Sequence, residues 1–302
     1  MCIILYPCYC FFCLRRSLCI WICLDYTIIF FFCFSCISIL LICICQKYEL
    51  QRTADSSYQA CTPHRYGYDG NWKFQAENVY DGYHPGFVHR SAFNTVKKFA
   101  GSFENRALDQ AVRQQGYTRG YPEGHGTLEA GAPLESGNVD PQARADYQQK
   151  LIELYGEQGA ADTLTNRQFL IFPNLVIFDF NIRVIQPISH DKTEVYSYPL
   201  MIDGAHESIN ANRMLDAQTR VGTAGILSAD DTDVFNGNQN ALNAIGMDWI
   251  TLSRGLGKEE VTEEGVHIGV YSDEAPQRAF WRKWISDERA GFEGLTWRLS
   301  SR

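Results

Sequence analysis

Residues 1–46 contain no Gly, Ala, Val or His, and their only charged groups are Arg15, Arg16 and Asp25. The other 256 residues lack what those 46 have in excess: of eleven cysteines in the chain only Cys61 lies beyond residue 46. One cysteine cannot build a disulfide framework in the body. From Lys47 onward there is no Lys/Arg cluster, and 25 basic residues face 34 acidic ones. A body acidic by nine charges argues against a nucleic-acid-binding surface. The chain has no Walker loop and no G-x-G-x-x-G, so neither phosphate-cradling fingerprint is available. It has no Asn-x-Ser/Thr in the body, which fits an intracellular protein, and no internal repeat.

What the N-terminal part does have is a run of 19 uncharged residues, Thr27 to Cys45. As a helix it would reach roughly 28 Å, close to the thickness of a bilayer core. Arg15 and Arg16 before it would keep the N-terminus cytoplasmic and put the body outside. The apolar stretch is too long for a signal peptide, and no small-residue cleavage site follows it. Cys8, Cys10 and Cys13, and Cys43 with Cys45, have metal-like spacings but no polar surroundings to support a zinc or iron–sulfur site. Two readings stay open. One is a hydrophobic, transmembrane anchor. The other is a stretch that is not authentic coding sequence, because natural membrane helices use Ala, Gly and Val freely. The chain therefore divides into a hydrophobic Cys-rich segment, 1–53, and a body, 54–302.

The body reads as α+β. Tyr58 to Trp72 is an aromatic strand and turn, and Asn71 to Ala92 a helix. The Gly- and Pro-rich stretch 115–140 reads as a long loop. A helix is expected from Asp140 to Gln158. Strands follow at Gln168–Ile171, Leu175–Phe180, Ile182–Gln186 and Glu194–Leu200, the last two flanking the polar turn Ser189-His190-Asp191-Lys192. Strands in immediate succession predict an antiparallel meander. His206 to Arg220 is helical in pattern. Asp230 or Asp231 would cap a helix running to Ile245. Asp248–Ser253 reads as a short strand and Asp273–Ala290 as a closing helix.

The densest group of chemistry-bearing residues is Asn71 to His89, within which stand Asp81, His84 and His89. Asp81 and His84 share a helix face at i, i+3. His84 and His89 would lie about 140° apart on an ideal helix. They meet one ion only if the helix is distorted or ends between them, and Pro85 and Gly86 stand there. Two neutral imidazoles and one carboxylate form the facial triad of non-haem Fe(II) oxygenases. The carboxylate must come from elsewhere, and the adjacent Asp230 and Asp231 are the best candidates. The zinc-protease pattern H-E-x-x-H needs a spacing of four and an intervening Glu, and both are missing.

The stretch N-W-K-x-Q-x-E-N-x-x-D-G-Y-H-x4-H resembles the start of the catalytic domain in large (α) subunits of Rieske non-haem iron ring-hydroxylating dioxygenases of the benzoate, anthranilate and salicylate type. Asp81, His84 and His89 match the family's D-x2-H-x4-H, and Asp230-Asp231 matches its later D-D pair. Phe172-Pro173-Asn174 and Arg278-Ala279-Phe280-Trp281-Arg282 are also family-like. The resemblance runs from about Tyr66 to Arg302. It implies a helix-grip fold, a curved antiparallel sheet around a long C-terminal helix, with an apolar pocket. It implies Fe(2+) held by His84, His89 and Asp231, with Asp81 as the residue that bridges His84 to a Rieske histidine of a neighbouring subunit. Asn78, His125 and Leu227 become candidates for the substrate pocket. The implied reaction is O2-dependent hydroxylation or cis-dihydroxylation of an aromatic, carboxylated ring in the cytoplasm. Electrons would come from NAD(P)H through a reductase, sometimes a ferredoxin, and a Rieske [2Fe–2S] cluster, within a homotrimer or an α3β3 assembly.

One departure is large. A Rieske cluster needs C-x-H followed by C-x2-H. No C-x-H occurs here, and Cys61-Thr-Pro-His64 is half a site at most. The cluster would therefore come from a partner chain. An alternative is a catalytically incomplete domain that binds apolar small molecules. His190 and His206 read as surface histidines, His267 as a packed strand residue and Cys61 as inert.

Overall fold

The computed structural model describes residues 21–24, 27–30, 50–94, 116–130, 139–244 and 249–300, with side chains described for those from 50 to 289. Strands β1 (Trp21–Leu24) and β2 (Thr27–Phe30) form an isolated antiparallel pair in which Trp21 faces Phe30 and Leu24 faces Thr27. Thr27–Phe30 is thus strand, which corrects the expectation of a membrane helix beginning at Thr27. Ile and Phe are strand-favouring residues, and a short apolar run does not discriminate helix from strand by itself. The rest of that run, 31–45, lies outside the described residues. Among the described residues no helix is long and apolar enough to cross a membrane.

The body is built on a ten-stranded antiparallel sheet. Its strands are β3 (Tyr58–Ala60), β4 (His64–Tyr68), β5 (Gly116–Gly120), β6 (Gly126–Ala130), β7 (Arg167–Ile171), β8 (Leu175–Phe178), β9 (Asn181–Ser189), β10 (Lys192–Ile202), β11 (Glu260–Val261) and β12 (His267–Val270). The order is β11-β12-β5-β6-β7-β8-β9-β10-β3, with β4 also on β10. The expected meander is present from β7 to β10 and is extended by β5 and β6, and the pairing of β9 with β10 across Ser189 and Lys192 is the expected hairpin. The helices that accompany it include α1 (Trp72–Asn78), α2 (Pro85–Val88), α3 (Pro141–Leu164), α4 (Glu207–Thr219), α5 (Ile226–Asn243) and α6 (Ala275–Ser300).

Alternation along the strands divides the core. Leu170, Val176 and Ile185 join Trp72, Tyr80 and Phe280 of the helical side. Their neighbours Phe169, Leu175 and Val184 turn to the opposite face with Tyr121 and Val266. This is the period of two that a strand buried on both faces must show. A 3-10 turn, Leu50–Thr53, packs into the body, and its buried Arg52 donates to the Thr165 carbonyl at 2.6 Å.

Four sequence expectations are corrected. The stretch 115–140 is not a loop over 116–130 but the β5–β6 hairpin (131–138 lie outside the described residues). Its glycines serve close packing: a Cβ on Gly120 would come within 2.5 Å of the Ala275 carbonyl oxygen at the start of α6. The helix expected from Asn71 to Ala92 is interrupted between Asn78 and Pro85. Asp230 and Asp231 are not helix caps, because α5 starts earlier, at Ile226 after Gly225. Residues 249–253 form no strand; Trp249 and Ile250 are exposed and without a sheet face to join.

Candidate metal centre

The break in the first helix creates the site. Asn71 caps α1 by accepting from the Lys73 N–H at 3.1 Å, and Trp72, Gln75 and Ala76 are buried along it. The helix ends at Asn78. Gly82 then passes so close to Tyr271 that a Cβ would lie 2.2 Å from the Tyr271 carbonyl oxygen. Proline at the first position restarts the chain as α2, a single helical turn. His84 stands at its N-cap and His89 at its C-cap. Because both histidines flank the turn, their rings come together, with centroids 5.3 Å apart and planes at 77°.

Helix α5 brings the carboxylates. It docks where Asn236 and Gln239 accept from the backbone N–H groups of Asp69 and Asn71, at 2.9 and 3.0 Å. Phe235 is buried against Tyr68, with ring centroids 5.0 Å apart. One turn before Phe235, Asp231 Oδ1 lies 3.7 Å from His84 Nε2 and 3.3 Å from His89 Nε2. The three donor atoms all fall within 4.8 Å of one another. Donors at right angles about an ion with bonds near 2.1 Å would be about 3 Å apart. The N,N,O set therefore fits a divalent cation with a small inward adjustment.

The outer nitrogens are held too. Asp230 Oδ2 is 3.3 Å from His89 Nδ1, and Asp81 Oδ2 is 3.5 Å from His84 Nδ1. Carboxylates in these positions turn the Nε2 lone pairs toward Asp231. Asn78 Nδ2 sits 3.1 Å from both His84 Nε2 and Asp231 Oδ1. Burial works against the charged forms of His89 and Asp81, but their partners outweigh it. Asp231 and Asp230 raise the His89 pKa. The hydrogen bond and charge of His84, the Tyr83 N–H and Arg254 hold the Asp81 carboxyl below its ordinary range.

Arg254 carried no sequence signal that tied it to the site, and Glu77 stood in the Asn71–His89 stretch without a role of its own. Arg254 lies over the half-exposed Tyr83 ring at 4.1 Å, 2.9 Å from Glu274 and 3.9 Å from Asp81. Glu77 accepts from the Trp281 indole N–H, and its burial pushes its pKa up to about 7.

The structure thus gathers Asp81, His84, His89, Asp231 and Asn78. Leu227 stands four residues before Asp231 and lines a cavity of about 230 Å³ between α3, α4 and the sheet. Gln168 and Phe178, paired across β7 and β8, also line it. They continue the face that carries Leu170 and Val176. His125 is elsewhere: it is buried in the β5–β6 turn, and its Nδ1 accepts from the Phe172 N–H at 2.9 Å. Burial, with Lys283 nearby, lowers its pKa to about 4, so it is a neutral acceptor. His190 is exposed, His206 caps α4, and His267 is half-buried 3.0 Å from Glu259.

The family described as ring hydroxylating alpha subunit (catalytic domain) matches residues 50–286. The chain is 32% identical over 201 residues to the 2-halobenzoate 1,2-dioxygenase large subunit of Burkholderia cepacia, covering 63% of this chain and 42% of that protein. It is 27% identical over 256 residues to the anthranilate 1,2-dioxygenase large subunit of Acinetobacter baylyi, covering 74% and 52%. The chain thus spans about half the length of the curated relatives it matches. A solved naphthalene 1,2-dioxygenase with indole bound superimposes with a TM-score of 0.65 at 21% identity, over 80% of this chain and 56% of that one. The naphthalene 1,2-dioxygenase of Rhodococcus gives 0.61 at 22% identity, over 80% and 59%. These two share the mixed helical and antiparallel-sheet fold.

Proposed function

The chain belongs to the ring-hydroxylating α-subunit catalytic-domain family, and from that premise we propose that it is the oxygenating domain of an aromatic-ring dioxygenase acting on a carboxylated ring. The observation that carries the reading is the convergence of His84 Nε2, His89 Nε2 and Asp231 Oδ1 one helical turn from the cavity residue Leu227. Fe(II) held by these three would supply activation of O2 for hydroxylation or cis-dihydroxylation.

The remaining roles belong to the protein's own groups. Asp230 fixes the His89 ring and Asp81 the His84 ring. The cavity takes the aromatic ring away from water and orients it beside Asp231. Its walls combine Phe178, Phe180, Val221 and Leu227 with four arginines and two aspartates. That charge balance suits an organic acid, and two relatives are named for 2-halobenzoate and anthranilate. Asp81 lies beside the half-exposed Tyr83 and the exposed Phe87, where a neighbouring subunit could dock. We assign to it the bridge from His84 to a Rieske histidine.

The 302 residues contain no C-x-H followed by C-x2-H. Electrons would arrive from a Rieske cluster that these residues do not ligate, fed from NAD(P)H by a reductase or ferredoxin. We read the sheet with α6 against β5, β6 and β12 as a helix-grip arrangement, and place the enzyme in the cytoplasm as a homotrimer or with a small β subunit. The test is metal content. Chain prepared anaerobically should take up about one Fe(II), and His84→Ala with His89→Ala should take up none. Stoichiometric iron in the double variant would refute the assignment.

A further inference from the structure

The cavity that Leu227 lines is also lined by Arg52, Arg144, Arg213 and Arg220 against Asp179 and Asp216. These cations are not equivalent. Arg213 is committed to Asp179 at 2.8 Å and to the Leu200 carbonyl at 2.9 Å. Arg52 is committed to the same Asp179 at 3.4 Å and to the Thr165 carbonyl. Arg144 is likewise engaged. Arg220 differs. Asp179 feels its charge, but the carboxylate that Arg220 pairs with is Asp216, one turn back on α4 and 3.8 Å away, a loose and partly exposed pair of the kind that contributes little.

Its surroundings suit an aromatic acid. The guanidinium lies over the Phe180 ring at 5.5 Å, and Phe180 stacks on Phe178 with centroids 6.4 Å apart and planes at 20°. Arg220 is also tied to the metal side of the cavity. The Leu227 N–H donates to the Arg220 carbonyl at 3.0 Å, which closes the loop between α4 and α5. Asp231 follows Leu227 by one helical turn, about 5.4 Å along the axis. A flat ring against Phe178 and Phe180 would therefore have a guanidinium fork beside it and Leu227, one turn from Asp231, on the helix that carries the carboxylate.

Resting on the function proposed above, we infer that Arg220 is the residue that selects acidic rings, its guanidinium taking the substrate carboxylate while Phe180 and Leu227 flank the ring. A planar fork of donors matches a carboxylate in two-point contact, which an ammonium cannot reproduce. Asp216 competes for the same guanidinium.

The test compares benzoate with its neutral isostere nitrobenzene by calorimetric titration of the full chain, with iron content measured on each preparation. The wild-type protein should prefer benzoate. Arg220→Gln should weaken benzoate about tenfold or more and leave nitrobenzene unchanged, and Arg220→Lys should fall between. Asp216→Asn should tighten benzoate, an arm that does not depend on the folding of an Arg220 variant. Equal binding of the two ligands by the wild-type protein, or full benzoate affinity in a folded Arg220→Gln, overturns the inference while iron uptake still supports the metal centre. Conversely, benzoate selectivity that depends on Arg220 in a chain unable to take up iron would uphold the inference and refute the oxygenase reading.

Discussion

Asp230 and Asp231, adjacent on α5, approach the two nitrogens of the same imidazole: Asp230 Oδ2 is 3.3 Å from His89 Nδ1 and Asp231 Oδ1 is 3.3 Å from His89 Nε2. Asp231 alone also reaches His84. We therefore assign Asp231 as the direct donor and Asp230 as the orienting carboxylate. Asp231→Ala should abolish stoichiometric iron, whereas Asp230→Ala should retain it with affinity reduced about 10- to 100-fold. Anaerobic iron titration of both variants checks this, and the reverse ranking would exchange their roles.

Asp81 touches the outer nitrogen of His84 and not the donor side. Asp81→Asn should keep iron. Fused behind a Rieske domain from a related enzyme and supplied with reductase, it should lose most of its oxygen-coupled turnover. Unchanged turnover would mean that electrons take another route.

Glu77 gives a pH signature. Its pKa rises from 4.5 to about 7, chiefly through burial, so between these values the folded state holds a proton that the unfolded state has released. Stability must fall as pH rises through that window, by about 3 kcal/mol at most from this group. Gln keeps an acceptor for the Trp281 indole but cannot ionise. Urea denaturation should show Glu77→Gln gaining on the wild-type protein between pH 5 and pH 8. Parallel curves would show that the carboxyl finds more solvation than its burial implies.

Phe235 is the wedge between α5 and the first motif, packed on Tyr68 and stacked with Phe74 at 6.3 Å. Truncating a buried phenylalanine costs about 3–5 kcal/mol. Phe235→Ala should lose stability in that range. It should also weaken iron, because Asp231 sits one turn away on the same helix. Loss of stability without loss of iron affinity would show that other contacts place Asp231.

The histidine half of the centre was legible because it is local: six consecutive residues carry His84, Pro85 and His89, and the proline announces the distortion that the pairing needs. From its own residues Asp231 was legible only as one of two neighbours; the family resemblance singled it out, and register on α5 is what turns it rather than Asp230 toward both imidazoles. The meander from β7 to β10 followed from apolar runs and turns. The β5–β6 hairpin was hidden because glycine has two uses. Gly120 and Gly126 admit α6 and Tyr80 at close range, yet in a sequence they look like loop. Arg220 was invisible for a different reason. Its meaning depends on Phe180 and Asp216 and on which of the other arginines Asp179 already holds, none of which is a spacing.

His89 and Asp230 meet across a sequence separation of 141 residues, and the whole β5–β10 meander is threaded between them. No early, local unit of the chain contains the complete donor set. The donor set we assign is complete only in the folded chain. Any metal affinity then appears directly as resistance to unfolding, growing with the logarithm of free iron. A chelator should therefore lower the unfolding midpoint of the iron-loaded chain, by removing the clasp that joins its two halves.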